Sequence, residues 1–531
     1  MSGTPITIDS PTGMLPSPRT ASANWVLYVV SAVAIATILI DEVIALQCLS
    51  CWAYDDHGGH LVLVQLLNSN RQPNVDFGYS YGPLTVLICQ AWAVIFGNHW
   101  SSFLYLCLLF RVISTMLIVS VAAQFRLSKL VQAVFALGLF RWLPYNCTIA
   151  RPGELIGLLL AIRCLMSSRL DLALLGCTLA TLFRPSIGFL IGFALICIVL
   201  WRAFLQLNTS WTSRIAQLLR FVAPSAVLES VVGLIYIGLH GATSYVLTIF
   251  PIAGSHLYAN RQASFLKLGW DRFFPADQNW KGYLTNPSHL DLIVLLTLAA
   301  GLLVSVVQLI RADPQEDKLG SPSHLHLVLF FIATVVFFTL TISYSALACY
   351  LPFFWLGFIA AWKVFGSGLG RVGIVIMALI GINLVLHAVF VMESVERKLT
   401  SIADDFHLTN PQLVVDRTEQ AELTEIKKYV DGQTIAFPCM MGDVTLLKQF
   451  GISVWPNHYW CLSPGIASSQ EIDDARAQVR NVEYVLLKKP HIAFSEDLLA
   501  LSEMHTEVLY DGKNFDLLHV IKAPQSTEAT R

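Results

Sequence analysis

The sequence predicts an α-helical polytopic membrane protein with a small C-terminal α/β domain outside the membrane. Hydrophobic residues make up 55% of the 531-residue chain and charged residues only 13%, whereas an average soluble domain is about 25% charged. The mean hydropathy is +0.61, too high for a chain that must present a soluble surface. The formal net charge of -2 gives no electrostatic case for a nucleic-acid partner.

The N-terminal residues 1–24 are rich in Ser, Thr and Pro, which predicts a disordered cytoplasmic tail. No basic region leads into a short apolar core with a cleavage site, so we expect the first apolar segment to stay as a membrane helix. A membrane domain of about 11 spans then follows, up to residue 392. The predicted spans are 25–47, 103–123, 130–144, 154–168, 170–183, 185–201, 221–239, 290–310, 326–343, 346–362 and 372–392.

The segment Gly82–Gly97 is either a further span or a helix that lies in the membrane interface. Loop charge distinguishes the two, because cytoplasmic loops carry the excess of Lys and Arg. An interfacial helix on the outer face leaves the basic loops that follow it on the cytoplasmic side, whereas a span turns them outward. We therefore predict an inner-membrane protein with a cytoplasmic N-terminus and with outer loops at 48–102 and 240–289.

From about Glu393 the charged residues return and the apolar runs shorten to strand length. This change predicts a periplasmic α/β domain over residues 393–531. The predicted strands are Thr434–Phe437, Val482–Leu487, Glu507–Tyr510 and Asp516–Ile521, and the predicted helices are Ile472–Val479 and Glu496–Met504.

Most of the candidate chemistry lies in the first outer loop, Trp52 to Leu84. Asp55, Asp56 and Asp76 are the candidate catalytic residues, because a carboxylate at the membrane surface can act as general base on an acceptor hydroxyl. The alternative is that the Asp55–Asp56 pair only ends a helix at the water interface. Asp76 lies in VDFGYSYGP, whose aromatic rings and glycines suit close approach to a sugar.

Four further residues of this loop are candidates for binding. Tyr79 and Tyr81 are predicted substrate contacts, with an ordinary interfacial aromatic belt as the alternative. His57 and His60 are predicted to contact substrate, and His60 with Asp55 and Asp56 has a spacing that could hold a divalent cation. Histidines that face solvent are the alternative, and the sequence contains no HExxH motif.

Basic residues on the predicted outer side are candidates for binding a lipid-linked phosphate, since a guanidinium fork matches phosphate oxygens. Glu154 and Tyr344 are assigned to substrate binding at the same cleft. For Arg151 and Glu154 the alternative is an ordinary helix start, and for the loop cations it is attraction to anionic headgroups. The candidate phosphate ligands are Arg151, Arg184, Arg261, Lys267 and Arg272.

The N-terminal part of the chain has a characteristic order of features. A first span is followed by an acidic pair, then by a helix, and then by an aspartate in an aromatic–glycine run that ends in Gly-Pro-Leu. The stretch DDHGGHLVLVQLLNSNRQPNVDFGYSYGPL, within which these acids lie, resembles the first outer loop of bacterial members of the GT-C superfamily. This superfamily of integral membrane glycosyltransferases includes the protein O-mannosyltransferases and the lipid A aminoarabinose transferases.

The resemblance implies a sugar donor on polyprenyl phosphate, with transfer on the periplasmic or lumenal side and inversion at the anomeric carbon. It assigns the first-loop acid to Asp55 or Asp56, the second acid to Asp76, and the polar outer turn to Arg151 and Glu154. Members often show Asp-Glu where this chain has Asp-Asp followed by His. This departure leaves open which carboxylate is the base and whether a metal is used.

The residues and the resemblance together predict a hexosyl- or pentosyltransferase with an Asp as general base, and the resemblance implies that it inverts the anomeric carbon. The acceptor is a lipid, a glycan or a protein. The rival interpretations are a polysaccharide polymerase or ligase, a lipid-linked sugar transporter and a non-enzymatic receptor. A transporter is expected to carry acids near mid-membrane in paired halves, whereas this chain carries its acids near one face and shows no internal repeat.

Overall fold

The computed structural model describes the N-terminal half of the membrane region most fully. The described residues are 51–125 except 80 and 99, 149–205, 210–250, 298–307 except 304, 323–342, parts of 353–364, 417–437, 447, 450–454, 469–489 and 504–521, with single residues at 32 and 36. The predicted tail, the spans 130–144 and 372–392, and the candidates Arg261, Lys267, Arg272 and Tyr344 lie outside them. So does most of the first predicted span.

The described part of the chain is mostly helical. Its helices are α1 Cys51–Asn68, α2 Pro83–Phe96, α3 Trp100–Gln124, α4 Ala150–Met166, α5 Leu170–Phe183, α6 Ile187–Leu205, α7 Trp211–His240, α8 Ala242–Ile249, α9 Ser323–Ile342, α10 Arg417–Tyr429 and α11 Ser469–Asn481. Its strands are β1 Thr434–Ile435, β2 Ser453–Val454, β3 Tyr484–Lys488, β4 Thr506–Asp511 and β5 Phe515–Val520.

Two of the described helices are long and apolar enough to cross a membrane, over Tyr105–Gln124 and Trp211–His240. Many of the exposed side chains of α7 are apolar, among them Leu219, Val227 and Leu234. An apolar face of this length is disfavoured in water and favoured in lipid. The number of about 11 spans stays a prediction.

Helices α4 and α5 form the most closely packed hairpin of the bundle. A Cβ added at Gly157 would lie 2.5 Å from the backbone nitrogen of Ala180, and one added at Gly176 would lie 2.7 Å from that of Ala161. The two backbones therefore meet without an intervening side chain, as small residues allow in membrane helices. The turn between them passes through Ser168, whose φ is 59°.

Helix α2 has 14 residues, which gives a length of about 21 Å and is shorter than the hydrocarbon core of about 30 Å. Its last residues, Val94, Ile95 and Phe96, are exposed. Helix α5 has the same length, so length does not distinguish a span from an interfacial helix, and the interfacial position of α2 stays a prediction.

The C-terminal part contains two small sheets. Strands β1 and β2 pair in parallel, while β3, β5 and β4 form an antiparallel sheet in that order. Four segments predicted as strands thus contain strands, and α11 covers the predicted helix Ile472–Val479. The predicted helix Glu496–Met504 lies almost entirely outside the described residues.

A buried carboxylate joins α10 to the β4–β5 hairpin. The side chain of Glu422 accepts hydrogen bonds from the backbone N–H groups of Lys513 at 3.0 Å, Asn514 at 2.9 Å and Phe515 at 3.1 Å. Three successive N–H groups directed at one carboxylate form an anion-binding nest. We infer that Glu422 fixes the hairpin to the helix.

We expect Glu422→Gln to destabilise this part by about 2 kcal/mol, because an amide group would place a donor against the three donors of the hairpin. The matched control is Glu425→Gln on the same helix, where an exposed pair with Lys428 at 2.6 Å is lost. Exposed pairs contribute about 0–1 kcal/mol. Thermal unfolding of the full-length protein in detergent measures the difference, and equal unfolding midpoints for the two variants would contradict the role of Glu422.

Candidate active site

The first outer loop is held on the end of helix α5. The backbone N–H of Gly82 donates to the carbonyl oxygen of Phe183 at 2.8 Å, and the hydroxyl of Thr85 donates to the same oxygen at 2.8 Å. A Cβ at position 82 would lie 2.2 Å from the carbonyl oxygen of Leu182. Only glycine permits this approach, so the sequence at Gly82 determines where the loop lies.

Inside the loop, Asp76 and Asn74 stabilise a turn. The carboxylate of Asp76 is exposed and accepts a hydrogen bond of 2.7 Å from the backbone N–H of Gln72. The side-chain oxygen of Asn74, whose φ is 60°, accepts from the N–H of Tyr79 at 2.9 Å. Asp76 therefore has a local structural contact, and its predicted catalytic role stays a prediction.

Tyr79 and Tyr81 lie inside the protein. Their exposed fractions are 3% and 7%, and their rings pack edge to face at 5.5 Å, with Phe77 against Tyr79 at 6.4 Å. The rings belong to a hydrophobic cluster shared by α1, α2 and α3. Their predicted contact with a sugar requires a ring face or a hydroxyl to reach the substrate, and it stays a prediction.

A network of hydroxyl groups joins the loop to the α7–α8 hairpin. The hydroxyl of Ser244 donates to the carbonyl of Pro73 at 2.6 Å, and the side-chain amide of Asn74 donates to Thr248 at 3.0 Å. The phenol of Tyr236 lies 3.1 Å from the Ser244 hydroxyl and 3.3 Å from that of Thr248. The loop is thereby attached to α7 as well as to α5.

Three polar residues that are distant in sequence meet beneath the loop. Glu154, on the first turns of α4, is fully buried, and one of its oxygens lies 3.9 Å from a guanidinium nitrogen of Arg184. Its other oxygen accepts a hydrogen bond of 2.9 Å from the hydroxyl of Ser186. The structure therefore brings two predicted site residues, Glu154 and Arg184, into one ion pair.

Two further arginines lie at this end of the bundle. Arg151 is half-buried one turn before Glu154, as its position in α4 requires. Arg111 of α3 is 4% exposed, and three residues later the hydroxyl of Ser114 lies 3.4 Å from the carbonyl oxygen of Pro152, in the first turn of α4. Arg111 is not among the site residues predicted from the sequence. An arginine inside an apolar span was the available signal, because such a residue is costly unless it has a function.

His60 of α1 is buried and touches three other segments. Its Nε2 accepts a hydrogen bond of 3.1 Å from the backbone N–H of Ile149, and its Nδ1 lies 3.7 Å from the sulfur of Cys89. The ring centroids of His60 and Phe103 are 6.0 Å apart. The predicted interpretation as a solvent-facing histidine is wrong, because the side chain is only 1% exposed.

Of the three residues predicted to hold a metal ion, only His60 has a described side chain. The side chains of Asp55, Asp56 and His57 lie outside the described residues, although their backbone belongs to α1. Within the described part, no group of three His, Cys, Asp or Glu side chains could hold a metal ion. A cation at His60 would have to replace one of its two nitrogen contacts.

The opposite end of the α4–α5 hairpin is chemically different. Arg163 is exposed, and Arg169 pairs at 3.4 Å with Asp171 while more than half of its side chain stays in contact with solvent. Helix α4 has 17 residues, so this end lies about 25 Å from the Glu154 end. The bundle therefore has one end with buried polar groups and one with solvated basic residues.

We expect Gly82→Ala to destabilise the protein by about 1–3 kcal/mol, because the added methyl group must displace backbone atoms of α5. The matched control is Gly238→Ala in α7, where an added Cβ meets nothing within 4 Å. That change should stabilise the helix by up to about 1 kcal/mol. Thermal unfolding in detergent should show shifts of opposite sign, and a neutral Gly82→Ala would contradict the docking of the loop.

Comparison with known proteins gives a structural similarity only. No family model matches the sequence, and no curated protein matches it. The chain is similar to ArnT from Cupriavidus metallidurans bound to undecaprenyl phosphate, with 13% identity and a TM-score of 0.35 over 95% of this chain and 98% of that chain. The apo structure of the same protein gives 12% identity and a TM-score of 0.35 over 94% and 98%.

ArnT is a lipid A aminoarabinose transferase, and so belongs to the group that the first outer loop resembles. At 13% identity and a TM-score of 0.35 the similarity carries no residue-level conclusion.

Proposed function

We propose that this chain is a membrane glycosyltransferase that moves a hexosyl or pentosyl group from a polyprenyl-phosphate donor to a hydroxyl of a lipid, glycan or protein acceptor. The observation that supports this most strongly is the buried Arg184–Glu154–Ser186 group directly beneath the docked first loop. A cation at a lipid–water boundary, close to a loop that bears acids, suits a reaction in which a phosphate leaves and a hydroxyl attacks.

The donor phosphate would bind at the arginines of this end. Arg184 is favoured because Glu154 holds its guanidinium while Ser186 occupies the second carboxylate oxygen. Arg151 lies one turn before Glu154, and Arg111 lies one turn before Ser114, which contacts Pro152; both would share the charge of the phosphate. Arg261, Lys267 and Arg272 remain proposed ligands on sequence grounds alone. The lipid tail would run along the apolar face of a membrane helix such as α7.

The base would be Asp56 rather than Asp55. With 3.6 residues per turn, a residue four positions before His60 lies about 40° from it around the helix axis, and a residue five positions before lies about 140° away. His60 faces the start of α4, because it accepts a hydrogen bond from Ile149. Helix periodicity therefore favours Asp56, which shares the helix face of His60, over Asp55, which does not.

In the proposed reaction the acceptor oxygen attacks the anomeric carbon, and the bond from that carbon to the phosphate oxygen breaks. Asp56 takes the acceptor proton, and polyprenyl phosphate leaves with the bonding electrons. A single displacement inverts the anomeric centre. Arginines near the departing oxygen stabilise the charge that develops there, and placing both substrates in one site would supply much of the remaining acceleration.

The outer side would be the periplasmic face of an inner membrane, with the solvated Arg163–Arg169 end in the cytoplasm. The excess of basic residues on cytoplasmic loops supports this orientation. It also gives the acids of α1 access to acceptors outside the cell.

We expect Asp56→Asn to lower transfer by roughly 10²–10⁴-fold, the usual contribution of a general base. Asp55→Asn is the matched control and should retain most of the activity. Radiolabelled polyprenyl-phosphate sugars, offered to the protein in proteoliposomes, provide the measurement. Full activity of Asp56→Asn in correctly inserted protein would remove the proposed base, and loss confined to Asp55→Asn would reverse the assignment.

We expect Arg184→Lys to raise the donor KM roughly tenfold, because an ammonium group cannot reproduce the planar fork that binds phosphate oxygens. The matched control is Arg169→Lys at the opposite end of α5, where the exposed pair with Asp171 should be dispensable. Steady-state kinetics with varied donor concentration separate the two variants. An unchanged KM for Arg184→Lys would exclude this arginine from the phosphate site.

A further inference from the structure

The tautomer of His60 follows from its surroundings. A backbone N–H can only donate, so the Nε2 that faces Ile149 at 3.1 Å must be the ring nitrogen without a proton. In a neutral imidazole the proton then lies on Nδ1, directed at the sulfur of Cys89 at 3.7 Å. His60 thus accepts on one side and donates weakly on the other.

The contacted N–H belongs to the residue that begins helix α4. Ile149 is the N-terminal cap of α4, and the first backbone hydrogen bond of the helix runs from Gly153 to its carbonyl at 2.9 Å. Backbone N–H groups at a helix start have no partner within the helix. His60 supplies one here, so the axial position of α4 is coupled to that of α1.

The two coupled helices carry the groups that the proposed reaction needs. Asp56 lies four residues before His60 on α1, while Arg151 and Glu154 lie two and five residues after Ile149 on α4. The contacts of His60 with Cys89 and Phe103 also fix its ring between α2 and α3. A shift of the imidazole would therefore change the spacing between the base and the phosphate ligands.

We propose that His60 is a positioning residue, which holds the base on α1 and the phosphate-binding start of α4 in register through its bond to Ile149. The inference rests on the proposed function for its catalytic consequence, but the link between the helices can be measured without activity. It gives His60 neither a substrate contact nor a metal, in contrast to the roles that the sequence suggested.

Two substitutions test whether the hydrogen-bond acceptor at the position of Nε2, and not the imidazole ring as a whole, is what matters. In His60→Gln the amide oxygen can reach the place of Nε2 and accept from Ile149, whereas in His60→Asn the shorter amide reaches only the place of Nδ1. We expect His60→Asn to lower kcat by roughly 10–100-fold with the donor KM changed less than about threefold, since a displacement of about 1 Å can cost 10²-fold. His60→Gln should restore kcat to within about fivefold of the unaltered protein.

A second measurement does not depend on catalysis. Spin labels on non-canonical residues at the exposed positions Gln65 of α1 and Arg163 of α4 report the distance between the two helices in the full-length protein. Non-canonical residues are needed because the chain contains 11 cysteines. We expect a broadened or shifted distance distribution in His60→Asn and an unchanged one in His60→Gln.

The outcomes distinguish the two ideas. Equal kcat values and equal distances in both variants would overturn the positioning role, and so would an equal loss of activity in both with lowered thermal stability. If the unaltered protein transfers no sugar from any polyprenyl-phosphate donor, the proposed function fails. In that case a distance that changes in His60→Asn and not in His60→Gln still supports the coupling, and an unchanged distance overturns it.

Discussion

The end of the bundle that carries Glu154 and Arg184 depends on one carbonyl oxygen, that of Phe183. It accepts from the Gly82 backbone and the Thr85 side chain, which uses both of its lone pairs and brings the first loop within backbone contact of α5. The next residue is Arg184, whose guanidinium faces Glu154. The position of the loop and the position of the buried cation are therefore determined at the same turn. A residue larger than glycine at position 82 would separate them.

The buried pair of Glu154 and Arg184 is better understood as a positioning device than as a source of stability. Removing two charges from water costs several kcal/mol per ion, and their mutual attraction offsets this only with good geometry. At 3.9 Å the pair has ion-pair distance without a short hydrogen bond. The pair fixes a guanidinium close to the first loop, and the proposed phosphate site uses that position.

Among the described residues, hydropathy predicted the positions of several helices, and it did not predict their contacts. Helix α5 was predicted with its observed bounds, because Arg169 and Arg184 mark both ends of its apolar run. The pairing of Glu154 with Arg184 joins residues 30 positions apart and depends on how α4 and α5 cross, which no local pattern encodes. Arg111 was missed because one charge hardly changes the average over a span.

The environments of His60 and Asp76 were also not predicted from the sequence. His60 was read from its acidic neighbours, whereas the apolar run that follows it, Leu61–Leu67 interrupted only by Gln65, was the better guide to its burial. Asp76 was read as an acid among aromatic rings, and its bond to Gln72 comes from turn geometry that the sequence does not specify. The positions of apolar helices could therefore be predicted from the sequence. The directions in which individual side chains point could not.

The contact between Gly157 and Gly176 determines how the gap between Glu154 and Arg184 responds to perturbation. Because peptide atoms rather than side chains separate the two helix axes there, rotamer changes or modest heating have no compressible layer to act on. The spacing of the two backbones that carry the ion pair is thus determined by the main chain. We therefore expect any movement that admits the proposed lipid donor to occur in helices that pack through side chains, with this hairpin as their fixed reference.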